Sequence, residues 1–253
     1  MNRIGPGLGG PKTAKDRLIF ALDVDTLDEA ERLVKALAPH VGMFKVGPRL
    51  FTSAGSLVVD LIHGMGSSVF LDFKFHDIPD QIAGAAREVA RQRARLFTVH
   101  ALGGPKMIEA VTRDIQRVTL VPGAYPPMCV AVTLLTSHDA VELAQIGLEG
   151  AVLDHATRLA KLAVGAGAEG VVCSGHELAT LRSVLPPSTV FVVPGIRYPD
   201  HEVQDQVRVM TARNAVEAGA TWVVVGRPIR DASDPAGAAQ RIVDDIDAAT
   251  VPA

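Results

Sequence analysis

Eight short runs rich in β-branched and aromatic residues recur along the chain, and segments with helical spacing separate them. The runs are RLIFALD (17–23), GMFKVG (42–47), SVFLDFK (68–74), RLFTVHA (95–101), MCVAVTLL (128–135), GVVCS (170–174), TVFVVPG (189–195) and TWVVVG (221–226). In LDEAERLVKALAP (27–39), Leu27, Ala30, Leu33, Val34 and Leu37 share one helical face, and PDQIAGAAREVARQ and GPKMIEAVTRDIQRV repeat that pattern. Asp28, Asp139 and Thr211 suit helix caps or first turns, and Pro79 suits a first helical position. Eight strand–helix units in 253 residues predict an α/β chain folded as a single closed (β/α)8, or TIM, barrel over residues 17–253. A doubly wound open sheet is the alternative, but no G-x-G-x-x-G turn follows the first run. Residues 1–16 read as a flexible tail, and GAYPP (123–127) and RYPDHEVQDQ (197–206) as loops.

Bulk properties narrow the function classes. Net charge is -3 and aromatic residues make up 4%, with no basic stripe interleaved with aromatics, so a nucleic-acid polymer is not an expected partner. Apolar runs are strand-length, which argues against a membrane span, and MNRIGPGLGGPKTAKDR lacks the apolar centre of a secretory signal. Cys129 and Cys173 fall inside apolar runs and read as reduced, buried thiols of a cytoplasmic protein. No C-x-x-C, H-x-H or H-x-x-x-H spacing occurs, so no structural metal is expected.

The charges placed on the strands are the more specific signal. Alternate residues of a barrel strand face its interior. If Val69, Leu71 and Phe73 lie under the helices, Phe70, Asp72 and Lys74 point inward at the C-terminal end of their strand. The same alternation turns Ile19, Ala21 and Asp23 inward, and Met43 with Lys45. Asp23, Lys45, Asp72 and Lys74 then converge on one rim, with Asp77 on the loop just beyond. Such a set could simply close the barrel with ion pairs, yet an apolar layer would do so at lower desolvation cost. A Schiff-base lysine needs an apolar or cationic setting in which to lose its proton, the reverse of this one. A lysine flanked by carboxylates is suited to donating a proton or to holding negative charge that develops beside it.

At the other side of the rim, the seventh and eighth runs end in VVPGIR and VVVGRPI. A (β/α)8 barrel often grips phosphate there. Gly195 and Gly226 allow close approach of backbone N–H groups, and an arginine follows each, Arg197 and Arg227. Taken singly, either glycine reads as an ordinary strand-end turn.

The stretch DFKFHDIP (72–79) resembles the D-x-K-x-x-D-I-P signature of the orotidine 5'-phosphate decarboxylase family. ALDVD, FKVG, VHALGG, AVTLLTS, GVVCS, PGIR, DQVRVMT and VVVGRPI also resemble family segments in the expected order, from Arg17 to about Ile246. The resemblance implies decarboxylation of orotidine 5'-monophosphate to UMP, the last step of de novo pyrimidine synthesis, without metal or cofactor. It implies that Asp23 binds the ribose hydroxyls, that Lys45 contacts ribose and Asp72, and that Lys74 gives a proton to C6 of the pyrimidine. Asp77 is expected to reach into the partner's site in a homodimer, and Thr136 and Ser137 to lie at the pyrimidine edge. Arg197, Gln206, Gly226 and Arg227 are expected to hold phosphate, with Gln206 on a loop that covers the base. Ile78 and Gln81 complete the substrate-binding set, although Gln81 stands where family members usually carry threonine. The rim histidines His76 and His100 are expected to play structural or supporting parts.

Related readings differ in chemistry. Hexulose-phosphate synthases and ketogulonate-phosphate decarboxylases share D-x-K-x-x-D but stabilise an enediolate on Mg2+ through a glutamate on strand 2, where this chain has Lys45. A non-catalytic nucleotide-binding barrel would keep the phosphate loops without needing the Asp-Lys-Asp array.

Overall fold

The computed structural model describes residues 10–120, 125–198 and 210–249. Its strands are β1 (Leu18–Ala21), β2 (Met43–Val46), β3 (Ser68–Phe75), β4 (Leu96–His100), β5 (Met128–Val132), β6 (Gly170–Val172), β7 (Val190–Val193) and β8 (Trp222–Val225). Each pairs in parallel with its neighbour in sequence, and β8 pairs back onto β1, so the barrel is closed and the open-sheet alternative does not apply. The helices in the first half are α1 (Ala14–Arg17), α2 (Leu27–Leu37), α3 (Pro48–Ala54), α4 (Leu57–Gly64), α5 (Pro79–Arg91) and α6 (Gly104–Ile115). Those in the second half are α7 (Ala140–Gln145), α8 (Val152–Gly165), α9 (Leu178–Val184), α10 (Ala212–Glu217), α11 (Arg227–Arg230) and α12 (Pro235–Asp247).

Two apolar layers follow from the alternation along the strands. Ile19, Met43, Phe70, Leu96, Val130, Val192 and Trp222 fill the barrel, while Phe20, Phe44, Leu71, Phe97 and Phe191 pack outward under the helices. Capping signals mark the helix starts. Asp139 and Glu142 form a reciprocal capping box on α7, and the Thr211 hydroxyl accepts the Asn214 N–H on α10. Thr26 caps α2, with Asp28 in its first turn, and Pro79 opens α5.

Within the segment expected to be a tail, Thr13 and Asp16 form a second capping box around α1. Arg17 Nη1 bonds the carbonyls of Ala220 and Thr221 at 3.3 and 3.4 Å, tying α1 to the start of β8. Of the two segments read above as loops, residues 123–124 of the first and 199–206 of the second lie outside the described residues. Cys129 and Cys173 are free and buried, and burial pushes both thiols up. Among the described residues, no helix is long and apolar enough to cross a membrane.

Candidate active site

The strand that carries the signature departs from regular pairing where the charges begin. Leu71 pairs with Phe97 and Phe75 with Val99, so four residues of β3 advance against two of β4. The surplus forms a bulge, and Lys74 takes a left-handed backbone conformation with φ of 50°. A long side chain is rarely found there, so its surroundings must hold it. The Lys74 N–H, displaced from the ladder, donates instead to Thr98 Oγ1 at 2.8 Å. Thr98 is fully buried, and its hydroxyl donates to Asp72 Oδ1 at 3.0 Å.

The four predicted charges meet at the rim in a chain of alternating sign. Lys45 Nζ lies 3.2 Å from Asp23 Oδ1 and 3.5 Å from Asp72 Oδ2. Lys74 Nζ bonds both Asp72 oxygens at 3.0 Å. The inner pair, Lys45 and Asp72, is 13% exposed, whereas Lys74 at 38% and Asp23 at 46% face the open mouth. A molecule entering the mouth therefore meets an ammonium and a carboxylate braced from behind. Burial pushes the Asp72 carboxyl up, but Lys45, Lys74 and the Lys74 and Thr98 hydrogen bonds outweigh it, leaving Asp72 below the usual carboxylate range. The Lys45 ammonium thus occupies the space between the Asp23 and Asp72 carboxylates.

Other predicted residues lie around this array without all joining it. Gly226 ends β8 beside it, and a Cβ there would stand 3.3 Å from Ala21 Cβ. Arg227 opens α11 next door. Arg197 lies after β7, where Gly195 turns with φ of 81°. Burial, followed by the nearby Arg227 charge, lowers Arg197, so the two guanidinium groups are near enough to repel. Neither forms an ion pair among the described residues, an arrangement that an anion would relieve. Asp77 is exposed and accepts the Ile78 N–H at 2.6 Å, with no ion pair among the described residues. Ile78, Gln81, Thr136 and Ser137 are exposed, and Gln206 lies outside the described residues.

Thr98 was missed by the sequence reading, though a signal existed. In RLFTVHA it shares its face with Leu96, so it is a hydroxyl on the inner side of an apolar strand. Arg230, whose Nη1 donates to the Asp23 carbonyl at 3.0 Å, had no comparable signal. A cavity of about 440 Å3 between α3, β3 and α5 is lined by Phe51, Phe73 and Phe75 and lies outside the barrel, away from the charges.

Comparison with known proteins agrees with this geometry. Residues 16–242 match the model of the orotidine 5'-phosphate decarboxylase / HUMPS family. The chain belongs to that family. Among its relatives, the orotidine 5'-phosphate decarboxylase of Anaeromyxobacter sp. (strain K) is 48% identical over 90% of this chain and 96% of its own. That of Heliobacterium modesticaldum is 45% identical over 92% and 96%. The crystal structure of orotidine 5'-phosphate decarboxylase from Lactobacillus acidophilus, 35% identical, superposes with a TM-score of 0.81 over 91% of this chain and 99% of that one. The charge array thus sits on a family barrel matched nearly end to end.

Proposed function

We propose that this chain decarboxylates orotidine 5'-monophosphate to UMP, with Lys74 as the proton donor. The C6–carboxylate bond breaks, CO2 leaves, and the electron pair stays on C6. An in-plane carbanion of this kind gains little from the ring π-system, so electrostatic stabilisation must come from the site. The Lys74 ammonium stabilises the pair and then transfers its proton to C6; solvent restores the proton afterwards. Asp72 holds the ammonium in place, and its charge beside the substrate carboxylate adds repulsion that is relieved as CO2 departs. Lys45 and Asp23 bind the ribose. Gly226, Arg227, Arg197 and Gln206 hold the phosphate, and Ile78, Gln81, Thr136 and Ser137 line the nucleoside. Binding energy from the remote phosphate positions the ring. In this reading no metal or cofactor takes part.

The observation that carries the reading is the bidentate hold of Asp72 on Lys74, at 3.0 Å to each oxygen, inside an alternating charge chain. The test is optical: purified protein should remove the absorbance of orotidine 5'-monophosphate, and Lys74→Ala should abolish this while still binding UMP more tightly than uridine. Arg227→Ala should lose that preference. Unchanged turnover by Lys74→Ala would remove the proposed role. The family also includes hexulose-phosphate chemistry on Mg2+, which Lys45 disfavours by placing a cation between Asp23 and Asp72. Loss of turnover on adding EDTA would favour that second reading.

The same reading has two chains pair, with Asp77 of each acting in the other's site. Supporting this, Asp77 forms no ion pair in its own chain among the described residues, and Ile78 (63%), next to it in sequence, and Leu102 (39%), in the turn after β4, expose apolar surface. Mixing inactive Lys74→Ala with strongly impaired Asp77→Ala chains should regain up to about a quarter of wild-type activity, because random pairing makes half the dimers hybrid with one intact site each. No recovery after verified subunit exchange would exclude shared sites.

A further inference from the structure

The loop that carries Asp77 has few side-chain anchors. Between the last residue of β3, Phe75, and the first of α5, Pro79, only residues 76–78 intervene, and all are exposed. Among the described residues the Asp77 side chain accepts only its neighbour's N–H, and Ile78 is held by its carbonyl, which accepts the Gln81 and Ile82 N–H groups, while its side chain packs little of its surface. The exception is His76. Its ring stacks on His100 with centroids 5.6 Å apart and planes 23° from parallel. His100 ends β4, and its Nδ1 accepts the Leu102 N–H at 3.3 Å, which leaves any ring proton on Nε2 while that bond holds. Gly103 lies against the stack, since a Cβ there would stand 3.4 Å from His76 Cδ2, and it leaves room for Met107, whose Sδ would be 2.3 Å away. A strand end, a 3-10 turn (Ala101–Gly103) and the start of α6 thus form a seat for one ring of the Asp77 loop.

We propose that His76 and His100 are positioning residues whose stacked rings tie the Asp77 loop to the loop after β4 and so set where the Asp77 carboxylate points. The inference rests on the reading that Asp77 acts in the reaction. Neither ring is asked to move a proton. Offset stacking of this spacing is favourable for uncharged rings. Burial, with His76, His138 and Lys74 nearby, holds His100 down to about 4, so its ring stays uncharged through the neutral range. The groups facing it are His76 from the loop after β3, Lys74 from β3 and His138 from the loop after β5.

A double-mutant cycle separates positioning from general stability. His76→Ala should lower kcat/KM about tenfold or more, as expected for a displaced catalytic group. His76→Phe, which restores a ring for His100 to meet, should recover most of that loss. Asp77→Ala should cost more than His76→Ala, and the double variant should be no worse than Asp77→Ala alone, because there is no carboxylate left to position. Thermal unfolding of each variant identifies those that are merely unfolded, and His76→Phe remains informative if the alanine variant is. Additive losses in the double variant, or a phenylalanine variant as impaired as the alanine one, would overturn the latch while leaving the Asp77 role intact. A fully active Asp77→Ala would overturn that role and the latch with it.

Discussion

Thr98 illustrates how much one buried hydroxyl can hold. It satisfies the backbone N–H that Lys74 loses to the bulge and, through the same oxygen, braces the carboxylate that grips the Lys74 ammonium. Replacing it with valine keeps the shape but leaves a partly buried N–H and an Asp72 oxygen each short of a partner. Losing such partners costs about 1–3 kcal/mol. Thr98→Val is therefore expected to lower the unfolding free energy by that amount in a denaturant titration and to reduce kcat more than it changes KM for the nucleotide. Serine, which restores the hydroxyl, should recover kcat. Full activity in the valine variant would mean that Lys74 is held by other contacts.

At the scale of elements, the period-2 alternation of β1, β2 and β3 was enough to bring Asp23, Lys45, Asp72 and Lys74 together, because a closed barrel turns every inward parity toward one axis. Alternation cannot register an inserted pair of residues, so the bulge in β3 and the job it creates for Thr98 were not legible. The Arg230 contact to the Asp23 carbonyl was equally hidden, since it joins residues 207 positions apart through a backbone atom. The turn at α1 was legible and overlooked: T-A-K-D carries a capping-box pattern inside a segment whose glycines suggested a tail. That turn packs so closely that a Cβ on Gly42 would fall 2.6 Å from Asp16 Cα, backbone against backbone. Gly42→Ala must push α1 away, and overpacking of this kind costs about 1–3 kcal/mol. Its melting temperature should drop while kcat of the folded fraction stays unchanged, because Gly42 lies at the N-terminal end of the barrel strands and the charges gather at the C-terminal rim. An unchanged melting temperature would mean that α1 contributes nothing to stability.

Over the whole molecule, two titrating groups at opposite ends of the barrel pull stability in opposite directions as pH changes. His100, at the rim, is held down to about 4 against a usual 6.5. Between those values the unfolded chain binds the extra proton, so its contribution is complete above 6.5 and is lost as pH falls toward 4. Glu169, just before β6, has a side chain open to solvent on one side while its carboxylate turns in to accept the Cys129 N–H at 2.8 Å. Burial raises it to about 7 from 4.5, outweighing the hydrogen bonds from Cys129 and its own backbone. Here the folded chain binds the extra proton, so the contribution is complete below 4.5 and is lost as pH rises through 7. Solvent access tempers the size of both effects but not their signs. In the shared window, from 4.5 to 6.5, the two slopes oppose, and wild-type stability should change little with pH. Glu169→Gln removes one side of the balance. Chemical denaturation of that variant at pH 5.0, 5.75 and 6.5 should show stability rising with pH more steeply than in wild type, roughly within the 1.4 kcal/mol per pH unit that one proton allows. A variant whose profile matches wild type would show that Glu169 titrates normally and that the carboxylate at the base of the barrel plays no part in the balance.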